Sequence, residues 1–359
     1  MRSDKPGGVL VALSGGVDSA MAAWFLKREG RNVRGVHFLL PGDEAAQAAK
    51  IDAVKAVSGR LEIPLDIVDI RSAFEEQVIK PFVDAYCKGL TPNPCVRCNP
   101  LVKFEYLART ADRLGIPLIA TGHYARLTEL GDGVGKSLLR GSDPDKDQSY
   151  FLHRLDRENL QRVVFPLGNL TKAQVRIRAN ELGVPSHSAP ESQEICFLPD
   201  NDYRRFIEQR KRNGERPKGL IVDEAGTVLG EHLGAHRYTI GQRKGLGIAS
   251  SRPYYVKELR PGADEVVIAR KEALYSREVT AVGFKWIESV SHQGGELQAQ
   301  IRYRHRATPG TLEIISPEKV RFVFHEPQWA VAPGQALVCY EGDRVLGGGW
   351  ICKSDDKNL

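Results

Sequence analysis

The stretch Val9-Leu10-Val11-Ala12-Leu13-Ser14-Gly15-Gly16-Val17-Asp18-Ser19 begins as a continuous apolar run, breaks at two adjacent glycines and enters a segment of helical character reaching Arg28. An apolar strand that turns sharply into a helix gathers successive backbone N–H groups and the positive helix end around one point, which is a site for an anion. Adjacent glycines let the backbone approach a phosphate closely. Ser14 and Ser19 supply hydroxyl donors, and Asp18 is of the type that holds a Mg2+ bridging phosphate oxygens. The lysine and the spacing of a Walker A loop are absent. The same residues also suit a plain strand-to-helix turn with Asp18 or Ser19 as the helix cap.

Outward from this loop the alternation repeats. Val33 to Leu40 reads as a strand, Glu44 to Val57 as a helix, Leu65 to Ile70 as a strand, Leu101 to Leu114 as a helix and Leu118 to Ala120 as a strand. This predicts an α/β fold with a doubly wound parallel sheet, helices on both faces and ligands at the carboxyl ends of the strands. Between Lys211 and Gly262 the composition shifts to short segments punctuated by glycine and basic residues. After about Pro261 short alternating stretches such as Gln298 to Tyr303 and Val320 to Phe324 are separated by Gly and Pro turns, the pattern of a small antiparallel barrel. The expected organisation is a phosphate-loop domain over 1–207, a small central module over 208–270 and a C-terminal β-barrel over 271–359.

With 42% apolar and 27% charged residues over a length of 359, the chain reads as a folded globular protein of two or three domains. A net charge of +6 is compatible with a polyanionic partner without requiring one. No signal-like apolar core follows Met1, and no run approaches the roughly 20 apolar residues of a membrane helix. A cytoplasmic location without membrane attachment is expected. There, six cysteines point to metal ligands, catalytic thiols or packing residues before disulfides.

Thr91-Pro92-Asn93-Pro94-Cys95-Val96-Arg97-Cys98-Asn99 is a proline-stiffened loop carrying Cys-x-x-Cys, and a third thiol stands far along the chain in Ser192-Gln193-Glu194-Ile195-Cys196-Phe197. Taken with Ser14 to Ser19, Thr121-Gly122-His123-Tyr124 and Asp145-Lys146-Asp147-Gln148-Ser149-Tyr150-Phe151, these strings resemble the tRNA-specific 2-thiouridylases of the N-type ATP pyrophosphatase superfamily. The likeness runs on through Gly241-Gln242-Arg243-Lys244-Gly245-Leu246-Gly247, Pro333-Gly334-Gln335 and Leu346-Gly347-Gly348-Gly349, so it spans nearly the whole chain.

The resemblance implies that ATP activates the C2 oxygen of a wobble uridine, sulfur replaces that oxygen, and AMP leaves. It implies an ATP site at Ala12, Leu13, Ser14, Gly15, Gly16, Val17, Asp18, Ser19 and Gly122, with Phe38 against the adenine. Cys98 matches the nucleophile and Cys196 the persulfide carrier. The partners implied are tRNA and a sulfur donor, whether a cysteine desulfurase, a sulfur-relay protein or inorganic sulfide. Contacts to tRNA fall on Lys146, Asp147, Gln148, Arg302, Tyr303 and Gln335, His123 falls at the tRNA or nucleotide site, and Asn93, Pro94 and Cys95 lie where the target base is received.

One residue departs from the family pattern: Cys95 stands where an aspartate is common, so that residue's proton-transfer role does not carry over. Three readings of the thiols follow. Cys95, Cys98 and Cys196 together hold a 4Fe-4S cluster, or they form a persulfide and disulfide pathway with Cys95 auxiliary, or they bind structural zinc with His123 as a fourth ligand. Thiolate chemistry is aided by a cationic neighbour, for which Arg97 is a candidate. Cys87, Cys339 and Cys352 have no such company and read as packing residues.

Lys146-Asp147-Gln148 combines phosphate attraction with amide hydrogen bonding, and Arg302-Tyr303-Arg304-His305-Arg306 interleaves cations with an aromatic able to stack on an unpaired base. In isolation such a charge-rich strand is more often a solvated face. Two rival functions share these features. One is an ATP-pyrophosphatase-type ligase making an amide or guanidinium bond, which leaves three cysteines unexplained. The other is a non-catalytic, metal-stabilised RNA-binding protein with a vestigial phosphate loop.

Overall fold

In the computed structural model of the chain the opening apolar run forms β1 (Val9–Ala12), whose Val9, Leu10 and Val11 are fully buried. The structure describes residues 7–130, 135–184, 195–210, 218–287 and 297–353, so Ser192 to Glu194 of the third cysteine string lie outside the described residues. The chain divides into two units. The first comprises Met1–Val78, Cys95–Phe197 and Asp343–Val345; the second comprises Ile79–Pro94, Leu198–Gly342 and Leu346–Leu359.

In the first unit β2 (Val33–Leu39) and β4 (Leu118–Ala120) flank β1, β3 (Leu65–Asp69) lies outside β2, and β7 (Val163–Val164) lies outside β4. Every pairing is parallel. A strand buried between two parallel neighbours must be apolar on both faces, as β1 is. The helix Val17–Arg28 buries Ala20, Met21, Ala22, Ala23 and Leu26, of which Met21 and Leu26 each stabilise by roughly 1.5–3 kcal/mol. The expected doubly wound α/β sheet is formed. Its strand order reverses at β1, so the turns leaving β1 and β4 emerge side by side at the carboxyl edge, where such sheets bind ligands.

Two features were not anticipated. β5 (Ala125–Glu129) and β6 (Lys136–Arg140) form an antiparallel hairpin, held by pairing of Leu139 with Arg344 and by an ion pair from Arg126 to Asp343 at 2.5 Å. The expected helix from Leu101 begins earlier, with Pro94–Cys98, widens into a π-helical turn over Asn99–Phe104 and returns to α geometry in Glu105–Arg113. Pro100 has no N–H to donate, and a wider turn accommodates the missing bond.

In the second unit β8 (Gly219–Val222), β9 (Val228–His232), β10 (Tyr255–Arg260) and β11 (Glu265–Ala269) form a sheet of order β10-β11-β8-β9, packed around Ile221, Val256, Val266 and Ile268. The six strands β12 (Tyr275–Trp286), β13 (Leu297–Gln300), β14 (Thr308–Ser316), β15 (Lys319–Trp329), β16 (Ala336–Glu341) and β17 (Arg344–Ile351) follow in the order β12-β15-β14-β13-β16-β17. Pairing of β12 with β17 closes them into a barrel. Cys339 and Cys352 are buried as expected of packing residues, whereas Cys87 is exposed. Among the described residues no helix is long and apolar enough to cross a membrane.

Candidate functional site

The turn after β1 runs through Leu13 to Gly16 into the helix Val17–Arg28. Gly15 takes φ +83°, a left-handed conformation that a side chain strains. The Ser19 hydroxyl donates to the Gly16 carbonyl at 3.0 Å and accepts from the Ser14 N–H at 3.1 Å, which fixes the loop's curvature. The helix cap is Gly16, which has no side chain with which to close the first turn; Asp18 and Ser19 lie inside the helix and do not cap it. Leu13 receives the His37 ring nitrogen on its carbonyl at 2.8 Å and donates its N–H to Val36 at 2.8 Å, so β2 steadies the loop's entry. Phe38 follows on the same strand and is half-buried.

Asp18 is the hub. Both of its oxygens accept from Lys172 Nζ at 2.7 Å, and Oδ1 also accepts from the Tyr124 hydroxyl at 2.8 Å. Lys172 is almost entirely buried at the first position of the helix Lys172–Glu181, behind a Thr171–Gln174 capping box, with its own N–H given to Asp143 at 2.8 Å. A cation in the first turn opposes the helix macrodipole and needs a compensating anion. A carboxylate that already holds an ammonium beside two serine hydroxyls and a helix N-terminus has the donor chemistry for a Mg2+–triphosphate.

Gly122 closes this site from the turn after β4. A Cβ there would stand 2.7 Å from the Asp18 carbonyl carbon and 2.8 Å from the Ser19 nitrogen, so the two turns pack backbone on backbone.

The thiols lie in the same unit. Cys95 and Cys98 are three apart on the helix Pro94–Cys98 and share its face. Burial, with the charge on Cys196 adding to it, pushes the Cys95 thiol up to about 11 and the Cys98 thiol up to about 12, which marks the three as neighbours. Cys196 is exposed by surface area, although the protein around it still raises its thiol by desolvation. Phe197 anchors it, meeting Phe74 edge-on at 5.6 Å.

The cation that opposes these shifts at all three sulfurs is Lys103, which also gives Cys98 a backbone hydrogen bond. Arg97, the neighbour expected from sequence, lies on another face of the helix and donates to the Gln77 carbonyl at 3.3 Å. Replacing Lys103 with glutamine removes a charge that favours thiolates, so thiol pKa values rise and fewer thiolates exist at any given pH. Alkylation of Cys196 by iodoacetamide at pH 8, followed by mass spectrometry, is expected to slow by about 3–10-fold.

His123 is buried against Phe104, with Nδ1 at 2.7 Å from the Thr121 hydroxyl and Nε2 at 3.5 Å from Lys103 Nζ. Burial and the Lys103 charge hold its imidazole neutral, its pKa well below the usual range. The tetrapeptide Thr121 to Tyr124 therefore ties the two halves of the site: Gly122 and Tyr124 touch the phosphate loop, and His123 touches the lysine beside the thiols. Among the described residues no group of three or more His, Cys, Asp and Glu side chains is gathered to hold a metal.

The residues expected at tRNA divide by their present engagements. Asp147 accepts from the Gly141 N–H at 2.9 Å and from the Ser149 N–H and hydroxyl at 3.0 and 2.9 Å, and burial raises its carboxyl. Gln148 exchanges two bonds with the Tyr124 backbone at 2.9 and 3.0 Å. Both order the loop that carries Lys146.

In the second unit Arg302 and Tyr303 are half-buried in a turn after β13 and are not part of a strand. The turn is made by Gln300, whose amide donates to the carbonyls of Arg302 and Tyr303 at 3.1 and 2.7 Å and accepts from Tyr340 inside the barrel at 3.1 Å. Gln335 donates to the Thr91 carbonyl at 2.8 Å, beside the segment that holds Asn93 and Pro94.

Lys103 and Lys172 are the residues here that the motifs did not include, and Tyr124 lay within the Thr121 to Tyr124 string without a role assigned to it. Of the two lysines only Lys172 left a sequence signal, a cation inside a Thr-x-x-Gln capping box.

Residues 7–200 match the family described as the tRNA methyl transferase HUP domain, 204–270 the tRNA methyl transferase PRC-barrel domain, and 276–351 the aminomethyltransferase beta-barrel domain. The chain is 46% identical over 355 residues to the tRNA-specific 2-thiouridylase MnmA of Geobacter metallireducens, covering 96% of each protein. It is 46% identical to the MnmA of Syntrophotalea carbinolica, covering 96% of this chain and 98% of that one. Among solved structures, a 4-thiouridine synthetase–RNA complex with bound ATP aligns at a TM-score of 0.35 and 17% identity, over 57% of this chain and 50% of that one. Near-full-length identity at this level, with all three domains matched in order, places the chain in the tRNA-specific 2-thiouridylase family.

Proposed function

We propose that this protein converts the wobble uridine of tRNA to 2-thiouridine, working in the cytoplasm with ATP and a persulfide donor. The observation that carries the reading is the Thr121 to Tyr124 segment, which packs on the Asp18–Ser19 backbone on one side and meets Lys103 on the other. Nucleotide activation and sulfur delivery then share one rigid edge of the sheet.

The uridine C2 oxygen attacks the α-phosphorus of ATP and pyrophosphate leaves, its charge met by the N–H groups after Gly15, by the serine hydroxyls and by Lys172. Asp18 would hold the Mg2+ that accompanies ATP, and that ion would neutralise phosphate charge. Phe38 lies against the adenine. The terminal sulfur of a persulfide on Cys196 adds to C2, and the C2–O bond breaks to release AMP. Cys98 thiolate then attacks Cys196 Sγ. The sulfur–sulfur bond to the substrate breaks, its electron pair stays on the uridine sulfur, and a Cys98–Cys196 disulfide forms that an external dithiol reduces.

Arg302, Tyr303 and Lys146 grip tRNA, while Asn93, Pro94 and Cys95 receive the extracted base. The central module adds positive charge through Arg243 and Lys244.

The test combines purified protein, ATP, a persulfide donor and unmodified tRNA, read by nucleoside mass analysis and pyrophosphate detection. Wobble 2-thiouridine with stoichiometric pyrophosphate is expected. Pyrophosphate stimulated only by a small amine identifies an amide or guanidinium ligase, and tRNA binding without pyrophosphate identifies a non-catalytic binder. Thiolation that requires anaerobically reconstituted iron replaces the persulfide route with a 4Fe-4S cluster on the same three cysteines.

A further inference from the structure

The resemblance to known thiouridylases puts Gln335 at the tRNA, but the structure uses its amide otherwise. Gln335 Nε2 donates to the Thr91 carbonyl at 2.8 Å, and two residues earlier the Pro333 carbonyl accepts from the Thr91 N–H at 2.8 Å. Both main-chain polar groups of Thr91 are thus held by one barrel turn. That turn is itself fixed to β17, because Gly334 N–H donates to the Ile351 carbonyl and Ile351 N–H donates to the Gln335 carbonyl, each at 2.8 Å. Gly334 takes φ +92°, and a Cβ there would stand 3.0 Å from both Leu90 Cβ and the Thr91 nitrogen. The contact is therefore a close backbone-to-backbone seat.

Thr91 is followed by Pro92-Asn93-Pro94, a stretch with two residues of fixed φ that leads directly into Cys95. A stiff segment pinned at its first residue transmits the pin's position to its end. We propose that Gln335 is a positioning residue for the base-receiving segment, acting on the rate of thiolation through the Thr91 carbonyl and not on tRNA affinity. This rests on the thiolation reading above.

The two roles separate kinetically. A residue that holds tRNA weakens binding when removed and leaves the rate at saturation intact; a residue that aims the receiving segment lowers the saturated rate and leaves binding intact. Gln335→Leu in the full-length protein is expected to lower single-turnover 2-thiouridine formation at saturating tRNA by about tenfold or more, in line with the cost of a small misplacement at a reacting centre. The tRNA Kd should stay within about twofold of the parent.

Gln335→Lys restores a donor of similar reach and should recover most of the rate. Gly334→Ala leaves the amide in place but pushes on Leu90 and Thr91, and should show the same fall in rate with Kd kept. Thermal melting confirms that each variant is folded. A Kd weakened fivefold or more with the saturated rate preserved overturns the proposal, as does a variant indistinguishable from the parent in both. Failure of the parent protein to form 2-thiouridine at all strikes the thiolation reading instead, which separates the two.

Discussion

Gly122→Ala is expected to lower ATP-dependent pyrophosphate release by about 10²-fold or more while leaving tRNA binding nearly unchanged. The added methyl would meet the Asp18 carbonyl carbon at 2.7 Å, the Ser19 nitrogen at 2.8 Å and the Asp18 carbonyl oxygen at 2.9 Å. None of these is the free end of a flexible side chain. They are main-chain atoms of a helix's first turn, so either that turn or the segment after β4 must move. Moving the turn displaces the N–H groups meant for phosphate and pulls Asp18 from Lys172 and Tyr124. Moving the other segment carries His123 away from Lys103.

Overpacking of this kind costs typically about 1–3 kcal/mol of stability, which a protein of this size survives, so the loss is expected in folded enzyme. Arg302 and Tyr303 belong to the other unit and keep their turn through Gln300. Filter binding of tRNA beside a pyrophosphate assay reads the split. Unchanged pyrophosphate release would mean that phosphate does not bind at this helix end.

The strand-helix alternation was legible because β1 and β4 are short apolar runs between glycine or proline breaks, and central parallel strands buried on both faces look like that, whereas the edge strand β3 carries Asp66 and Asp69 and exposes Ile67. The phosphate loop was legible for the same reason: its function resides in the backbone, and glycine and serine are what that backbone requires. What remained hidden depends on side chains from distant segments. Lys172 meets Asp18 across 154 residues of chain, and no local pattern reports such a pairing.

The thiols' cation was misplaced for a geometric reason. Arg97 is adjacent in sequence, but a helix turns adjacent residues to different faces, and the π-helical turn around Pro100 sets Lys103 near the sulfurs instead. The Arg302–Tyr303 segment was read as strand because its charges alternate. Gln300 withdraws two carbonyls from the ladder and makes a turn, which shapes a more local surface for an unpaired base than a strand does.

Cys98→Ser should reduce single-turnover 2-thiouridine formation without added dithiol by about 10³-fold or more, since it removes a nucleophile for which serine is no substitute near neutral pH. The reason lies in the second half of the sulfur transfer. Once the Cys196 persulfide has added to C2, tRNA is joined to the protein through a sulfur–sulfur bond that only an attacking thiolate breaks. Without Cys98 that adduct persists, so a denaturing gel should show tRNA retarded by one protein mass, released by dithiothreitol.

Cys196→Ser blocks the earlier step and should give the same loss of product with no adduct. Cys95→Ser should keep a measurable fraction of activity, because the route assigns no bond to that sulfur. Equal loss in all three variants with no adduct in any would instead fit three thiolates serving one cluster. The ground state adds a pH signature. With its thiol pushed up to about 12, Cys98 is ionised in only about one molecule in 10⁵ at pH 7. Resolution of the adduct by the parent enzyme should therefore accelerate as pH rises from 7 to 9, about tenfold per unit while the thiolate fraction is small. A pH-independent rate would mean that bound tRNA and nucleotide have already stripped that proton.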